Sequence, residues 1–408
     1  MKLKKVFLII AVLCVGVILA PVPVWSQEYD YHREESPAVS WNGVSFFDAR
    51  MLAAGGVSLM ASPAFAAAIN PAMIPADNKT IIGASFELTW HQAFQYWGIN
   101  QGVYADPNPQ TGTSYYPGGI TLSFPVKSLR FSAGWYTPNL LELPTFEYDG
   151  QNWGFSVKSK GKENALFAAA AVKLGKIDFG VKVDYVLGKR DVEVDDNWKS
   201  YPARILQTES HRLSYLAVSI GAVLELSPAW TVGAALVYPF EGTAKRTIDR
   251  IFESDYEHIE ILGLESTDTL FRPTRIVVGT SFAPGNKNGN HRDKKLIFAA
   301  EAVYTHWADY QYEFYSEIVP RGMENTLTLG LGMEYNFRTY SVRFGYRYDP
   351  QPVVSPETTL YALTGGLGLR LGKLSLDLGA AFYFSNYRDT GQKHLVLVST
   401  AYIPLGGE

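Results

Sequence analysis

Residues 373–379 alternate without a break between polar and apolar side chains, and the apolar positions continue at the same period to Phe384. Leu374, Leu376, Leu378, Ala380, Phe382 and Phe384 fall on one face, and Lys373, Ser375, Asp377, Gly379 and Ser385 on the other. A period of two is the signature of a strand. The pattern recurs where Ile177, Phe179, Val181, Val183 and Tyr185 oppose Asp178, Gly180, Lys182 and Asp184, and where Val342, Phe344, Tyr346 and Tyr348 oppose Arg343, Gly345, Arg347 and Asp349. In a soluble β-sandwich such a strand turns its apolar face to a core. In a transmembrane barrel it turns that face to lipid and the polar one to a lumen, and closing the sheet satisfies every backbone N–H and C=O.

The links between these runs choose between the two. Fourteen runs can be drawn, at 80–90, 117–125, 128–137, 163–173, 176–190, 210–226, 229–245, 271–283, 294–308, 323–337, 339–349, 358–371, 373–386 and 394–404. Strands 2, 4 and 14 are the least sharply bounded, which leaves counts of 12 and 16 open. Very short links follow strands 2, 4, 6, 10 and 12: Val126-Lys127, Leu174-Gly175, Ser227-Pro228, Arg338 and Gly372. Pro284 to Asp293 after strand 8 is the exception, and the other links are longer, above all 91–116, 138–162 and 246–270. Bacterial outer-membrane barrels have even strand numbers, short periplasmic turns and long outer loops. The expected fold is therefore an all-β, antiparallel transmembrane barrel of about 14 strands over residues 80–408, with both termini periplasmic. Aromatic residues make up 14% of the chain, which suits the girdles such barrels carry at both membrane interfaces.

Residues 1–26 read as a secretory signal: Lys2, Lys4 and Lys5, an apolar stretch from Val6 to Ala20, and Val24-Trp25-Ser26 before Gln27. Cys14, the only cysteine, lies inside it, so the mature chain is expected to have no disulfide, thiolate nucleophile or cysteine metal site. The acidic, aromatic residues 27–44 form an N-terminal extension. Residues 45–79 differ from both extension and barrel. Phe47 to Ser58, then Ala64 to Ile69 and Asn70-Pro71-Ala72, are small and apolar, and Asn-Pro is turn chemistry that stops a helix. Such a segment is well placed to fill the lumen as a hatch.

The run that contains Arg50, Gly55, Gly56, Asn70, Pro71 and Ala72 resembles the N-terminal hatch of the FadL-type outer-membrane transporters of long-chain fatty acids and other hydrophobic compounds. Ser132 to Pro138, Arg272 to Gly279 and Arg343 to Val353 are similar to further stretches of that family, the last to its Gly-Tyr-x-Tyr-Asp-x-x-Pro segment. The chain departs from the family at Met73, where Gly usually follows Asn-Pro-Ala, and in its longer N-terminal extension. The resemblance implies passive uptake of a hydrophobic small molecule, a fatty acid or an aromatic hydrocarbon with long-chain fatty acids the first expectation, through apolar outer loops, a lumen pocket and a movable hatch, across the outer membrane of a Gram-negative bacterium. It also implies a kinked third strand through which ligand leaves sideways. The hatch pattern resembles, too, barrel relatives that act as scaffolds or shuttles for secreted or envelope proteins.

Three long loops carry apolar residues fit to capture such a ligand: Phe94 and Trp97, then Leu140, Leu141 and Phe146, then Phe252, Ile259 and Leu262. In the last, Ile and Leu at near-helical spacing suggest an amphipathic lip. Loops packed on one another as a lid account for the same residues. Alternation puts Arg130, Lys182, Arg343, Arg347 and Arg370 on the lumen face, either to meet a carboxylate ligand or to pair with lumen acids. Gly134 marks a weak point in strand 3 or a packing contact. No catalytic residues and no metal or cofactor site are expected: the seven histidines show no ligand spacing, and no Gly-x-Ser-x-Gly elbow or phosphate-binding loop occurs. A Ser/His or Asp/His site assembled in space is the enzymatic alternative. Lys and Arg number 36 against 40 Asp and Glu, no basis for nucleic-acid binding. The expected surroundings are outer-membrane lipid and lipopolysaccharide, and the expected state a monomer.

Overall fold

The computed structural model describes residues 47–405 except 75–78, 94–95, 100–101, 106–109, 140–142, 150–153, 200–202, 285–294, 308–311, 315–316, 320–323, 338, 351–358 and 386–392. The leader, the extension, most of the 284–293 link, and Phe94, Leu140 and Leu141 lie outside the described residues, as do the side chains of Trp97 and Phe146.

The wall is a closed antiparallel barrel of 14 strands. Strand 1 is Thr80–Ala93, strand 2 Gln110–Val126, strand 3 Leu129–Tyr136 resumed as Leu143–Asp149, and strand 4 Gly154–Leu174. Strand 5 is Ile177–Trp198, strand 6 Ala203–Ser227, strand 7 Trp230–Pro239 continued as Gly242–Ser254, and strand 8 His258–Leu270 continued as Thr274–Phe282. Strands 9 to 14 are Leu296–His306, Thr326–Asn336, Tyr340–Pro350, Thr359–Leu371, Leu374–Ser385 and Lys393–Leu405. Each pairs with its sequence neighbours, and strand 1 also pairs with strand 14 in unbroken register from Thr80↔Leu405 to Gln92↔Lys393, which closes the sheet. Gly175 and Gly372, at φ 64° and 63°, sit in two-residue turns of left-handed backbone, which match the strand twist.

Strand 5 shows how side chains sort. Asp178, Lys182 and Asp184 are buried inside, while Phe179, Val181, Val183, Tyr185 and Leu187 are exposed outside. From Phe179 to Leu187 that outer column covers eight residue steps, about 27 Å of strand, the length of a tilted crossing of the hydrocarbon layer.

Strands 4 to 8 do not stop at the end of this apolar belt, and here the sequence reading is corrected. Much of 91–116, 138–162 and 246–270 is strand rather than loop. Above Leu187 the contrast inverts: Lys189, Asp191 and Glu193 point out and Val192 is buried inside. Alternation persists, but the apolar outer face that marks a strand for the reader has gone. The expected amphipathic lip is a hairpin, Gly242–Ser254 with His258–Leu270. A register shift between Ile248 and Arg250, with Gly263 at φ 66°, breaks the period of two and produces the helix-like spacing. Phe252 is half-buried on this hairpin, while Ile259 and Leu262 are exposed.

Residues 47–74 are not part of the wall. A helix at Ala49–Ala53, a 3-10 turn at Ser58–Met60, a helix at Ala66–Ile69 and a 3-10 turn at Pro71–Met73 form an inner segment. It lies against inward-facing glycines of the strands. A Cβ on Gly345 would strike the backbone N of Gly55, one on Gly379 the carbonyl of Ala49, and one on Gly180 the Pro71–Ala72 peptide. Gly345→Leu is expected to unseat this segment without opening the barrel. Trypsin should then cut after Arg50 in folded, detergent-solubilised protein while the SDS-resistant band persists. Unchanged protection of Arg50 would mean that the wall yields instead.

Candidate functional site

The inner segment holds its own shape through one buried carboxylate. Asp48 caps the first helix by accepting from Met51 N at 2.8 Å, and it also accepts from the N–H and hydroxyl of Ser62, 14 residues on. Gly55 and Gly56 follow with φ 71° and 77°, a turn only glycine makes without strain. The turn enters a slot between strands 10 and 11 so tight that a Cβ on Gly55 would meet the carbonyls of Leu331 and Tyr346. Asn70 caps the last turn, accepting from Ala72 N at 3.0 Å, and donates to the Ala234 carbonyl at 3.2 Å. A Cβ on Gly221 would occupy the place of its Oδ1. The residues singled out by motif, Arg50, Gly55, Gly56, Asn70, Pro71 and Ala72, are thus those that seat the segment.

Wall side chains grip its backbone in return. Ala49 N donates to Thr400 Oγ1 at 2.9 Å, Gly55 N to Thr364 Oγ1 at 3.0 Å, and Thr121 Oγ1 to the Ala64 carbonyl at 2.8 Å. Ser58 N donates to Glu301 Oε2 at 2.8 Å.

Four of the five cations expected on the lumen face are buried there and engaged. Arg130 donates to the Ile74 carbonyl at 2.6 Å and pairs with Asp178. Lys182 donates to the Ala68 carbonyl at 2.6 Å and pairs with Asp184 at 2.8 Å. Arg343 bridges Glu334 at 2.6 Å and Asp377 at 2.7 Å, and Glu334 takes a bidentate pair from Arg50 at 2.8 Å. Arg347 lies 3.3 Å from Asp349. Arg370 has lumen parity but is exposed at the turn end of strand 12, where the barrel rim leaves it in solvent. Of the two sequence readings, acid pairing describes these cations.

The wall is irregular at one place beside the segment. Strand 3 stays in unbroken register through Gly134, paired with Thr121 and Phe167, so the weak point is not at that glycine. Its missing side chain leaves room for the Ile120 carbonyl and the Phe167 ring. Regular pairing with strand 4 ends two residues later, at Tyr136, although Glu163 N still donates to the Asn139 carbonyl at 2.9 Å; residues 140–142 lie outside the described residues, and pairing is seen again from Leu143. On the neighbouring strand, register shifts between Ser85 and Phe86, opposite Gly118. Thr137 N reaches across to the Gly118 carbonyl at 3.0 Å.

Behind this irregular place stands an aromatic cluster that the sequence reading missed. The Phe47 ring lies 4.6 Å from Tyr136 and 5.9 Å from Phe65, and Tyr136 lies 5.7 Å from Phe167. The Lys182 ammonium sits 5.1 Å from the Tyr136 ring centre and 3.1 Å from its hydroxyl. No alternation marks Phe167, which faces inward among Ala165, Ala169 and Ala171 in a run apolar on both faces. Farther along the same strand Glu163, fully buried, pairs with Arg272 and accepts from Asn139 Nδ2 at 2.5 Å and from the Tyr215 hydroxyl at 3.2 Å. Glu209 pairs with Arg246 at 2.6 Å and with His211 at 2.9 Å. Among the described residues the aromatic cluster, with the Lys182–Asp184 pair beside it, thus lies between two further charged groups.

No protein-family model and no curated protein matches the sequence. Solved structures do match the fold. A Pseudomonas aeruginosa FadL homologue aligns over 88% of this chain and 98% of its own, with TM-score 0.65 and 14% identity. The Ralstonia pickettii toluene transporter TbuX gives 0.62 and 14% over 88% and 98%, and the CymD monoaromatic hydrocarbon channel 0.60 and 13% over 88% and 99%. The fold of this chain is that of the FadL-type barrels.

Glu334→Gln takes from Arg50 its carboxylate partner and leaves Arg343 with Asp377 alone, in a buried site, a loss of about 3 kcal/mol. The expected result is a loosened segment and a higher single-channel conductance in planar bilayers; unchanged conductance would show that the clasp does not hold the segment. Asp48 adds a pH dependence. Burial raises its carboxyl above the usual range, against the lowering effect of the Ser62 and Met51 hydrogen bonds. The seated segment therefore binds this proton more tightly than the released one. Its contribution is complete below about pH 4, the ordinary aspartate pKa, and is lost as pH rises through the raised value. Protection of Arg50 from protease should weaken with rising pH in the parent chain, and Asp48→Asn should flatten that dependence.

Proposed function

We propose that this protein is an outer-membrane channel for the passive uptake of small, uncharged hydrophobic molecules, with residues 47–74 as its hatch. The observation that carries the reading is the Phe47, Phe65, Tyr136 and Phe167 cluster behind the place where register shifts at Gly118 and strand 3 leaves regular pairing with strand 4. An apolar ligand needs an apolar resting place and a route that avoids the charged groups of the lumen. The aromatic cluster supplies the first and the irregular wall the second. Exposed Ile259, Ile261, Leu262 and Leu264 on the hairpin of strands 7 and 8 supply apolar surface for capture at the far end. Movement of Phe47 with the hatch opens the path between the cluster and this part of the wall.

Long-chain fatty acids are the less favoured cargo. Arg130, Lys182 and Arg343, the deeply buried lumen cations, are bound to hatch carbonyls and wall carboxylates. A ligand carboxylate would have to displace them. The fold-mates TbuX and CymD are described as a toluene transporter and a monoaromatic hydrocarbon channel, which agrees with an uncharged ligand. The tight seating of the segment is also what an occluded barrel serving as a protein scaffold needs, and transport assays separate the two readings.

The test is uptake of radiolabelled toluene and oleate by a transporter-deficient host. Saturable toluene uptake is expected, lowered about tenfold by Gly118→Phe, which adds more bulk than the wall there accommodates. A folded, inserted protein that passes neither compound would favour the scaffold reading. Oleate uptake exceeding that of toluene would restore the fatty-acid assignment.

A further inference from the structure

Four basic residues line up across the outer face of the barrel. Lys162 pairs with Lys189, Lys189 with Arg212, and Arg212 with Lys245, each directly opposite the next on strands 4 to 7. Like charges set opposite one another across a ladder oppose its pairing. The row itself contains no acid, and an anion bound along it would offset that repulsion. Neighbouring strands lie about 4.8 Å apart, so the row is about 14 Å long.

Its height on the wall identifies the anion. The next outward-facing row toward the turns is Asn164, Leu187, Ser214 and Thr243, and the row after that begins Leu166, Tyr185 and Leu216. Leu166, Tyr185, Leu187 and Leu216 are exposed members of the apolar belt. The bases therefore stand at the upper border of the lipid-facing surface, above a row of amide and hydroxyl groups. Lys189, Arg212 and Lys245 are exposed there. Lys189 is steadied by Asp191 at 2.7 Å, in the row above. Lys162 lies 5.5 Å from the Tyr116 ring centre and 5.9 Å from that of Trp135, contacts that fix its position and leave its charge in place.

We infer that Lys162, Lys189, Arg212 and Lys245 form a site for the phosphate groups of lipopolysaccharide, with the sugar against Asn164, Ser214 and Thr243 and the acyl chains against the belt below. Phosphates, sugar and acyl chains occur in this glycolipid in the same vertical order as bases, hydrogen-bonding groups and apolar residues on the wall. The inference rests on the proposed orientation, with the long extensions of strands 4 to 8 outside the cell.

The experiment is native mass spectrometry of the full chain purified in mild detergent from outer membranes of a rough-type strain. Bound glycolipid is expected to fall about tenfold in K162Q/K189Q/R212Q/K245Q and to persist in K127Q/K173Q, which removes charge at the short-turn end. Heat-modifiable migration in SDS checks that each variant folds. Re-addition of intact lipid A should restore occupancy of the parent protein, and dephosphorylated lipid A should not. Glycolipid retained by the quadruple variant, or equal binding of the dephosphorylated form, overturns the inference. Orientation is read separately by labelling Y256C on intact cells with an impermeant maleimide, since Tyr256 is 95% exposed on the far hairpin. Labelling is expected. Its absence would refute the orientation and the inference together, whereas labelling alongside retained glycolipid would refute the inference alone.

Discussion

A strand that faces hydrocarbon has no partner for its backbone except another strand, and the seam between strands 1 and 14 is where that requirement is finally met. From Thr80↔Leu405 to Gln92↔Lys393 the first strand finds the last without a shift in register. Closure creates an inside. Thr80 opens strand 1 at the seam, at the end of the barrel that carries the short turns, and residues 47–74 lie inside. The position of the inner segment is thus a consequence of where the sheet closes, and its small, apolar composition is what the remaining volume admits.

Electrostatics then divides the lumen. Near the short turns, Arg50, Glu334, Arg343 and Asp377 form one connected network, and Arg130 with Asp178 a second. Burying such groups is costly unless each is paired, and here each network also fastens the segment, through Arg50 or through the Ile74 carbonyl. The aromatic cluster lies where these polar clasps stop, at the point where strand 3 leaves the ladder. The aromatic cluster and the irregularity of strand 3 thus occupy the same place on the wall.

Much of this was legible in residue order. Strand 13 reads directly from Leu374 to Ser385, and all fourteen crossings fall where alternation puts them, including the weakly marked strands 2, 4 and 14. Legibility failed where its physical basis did. Above Leu187 the outer face meets water, so Asp191 and Glu193 look like loop although the ladder continues. At Gly263 a bulge shifts the phase and imitates a helix. Arg130 and Lys182 were assigned to the correct face, but only contact geometry reveals that they hold carbonyls of the segment. The grouping of Phe47 with Tyr136 and Phe167 joins residues far apart in sequence, which no local period encodes.

The glycines beneath the inner segment have a mechanical consequence. At Gly180, Gly345 and Gly379 the segment rests on bare strand backbone. A single peptide layer there separates it from the acyl chains outside, with no side chain to cushion the contact. All three contacts are backbone on backbone, so any change in the tilt or curvature of these strands meets the segment before a side chain can absorb it.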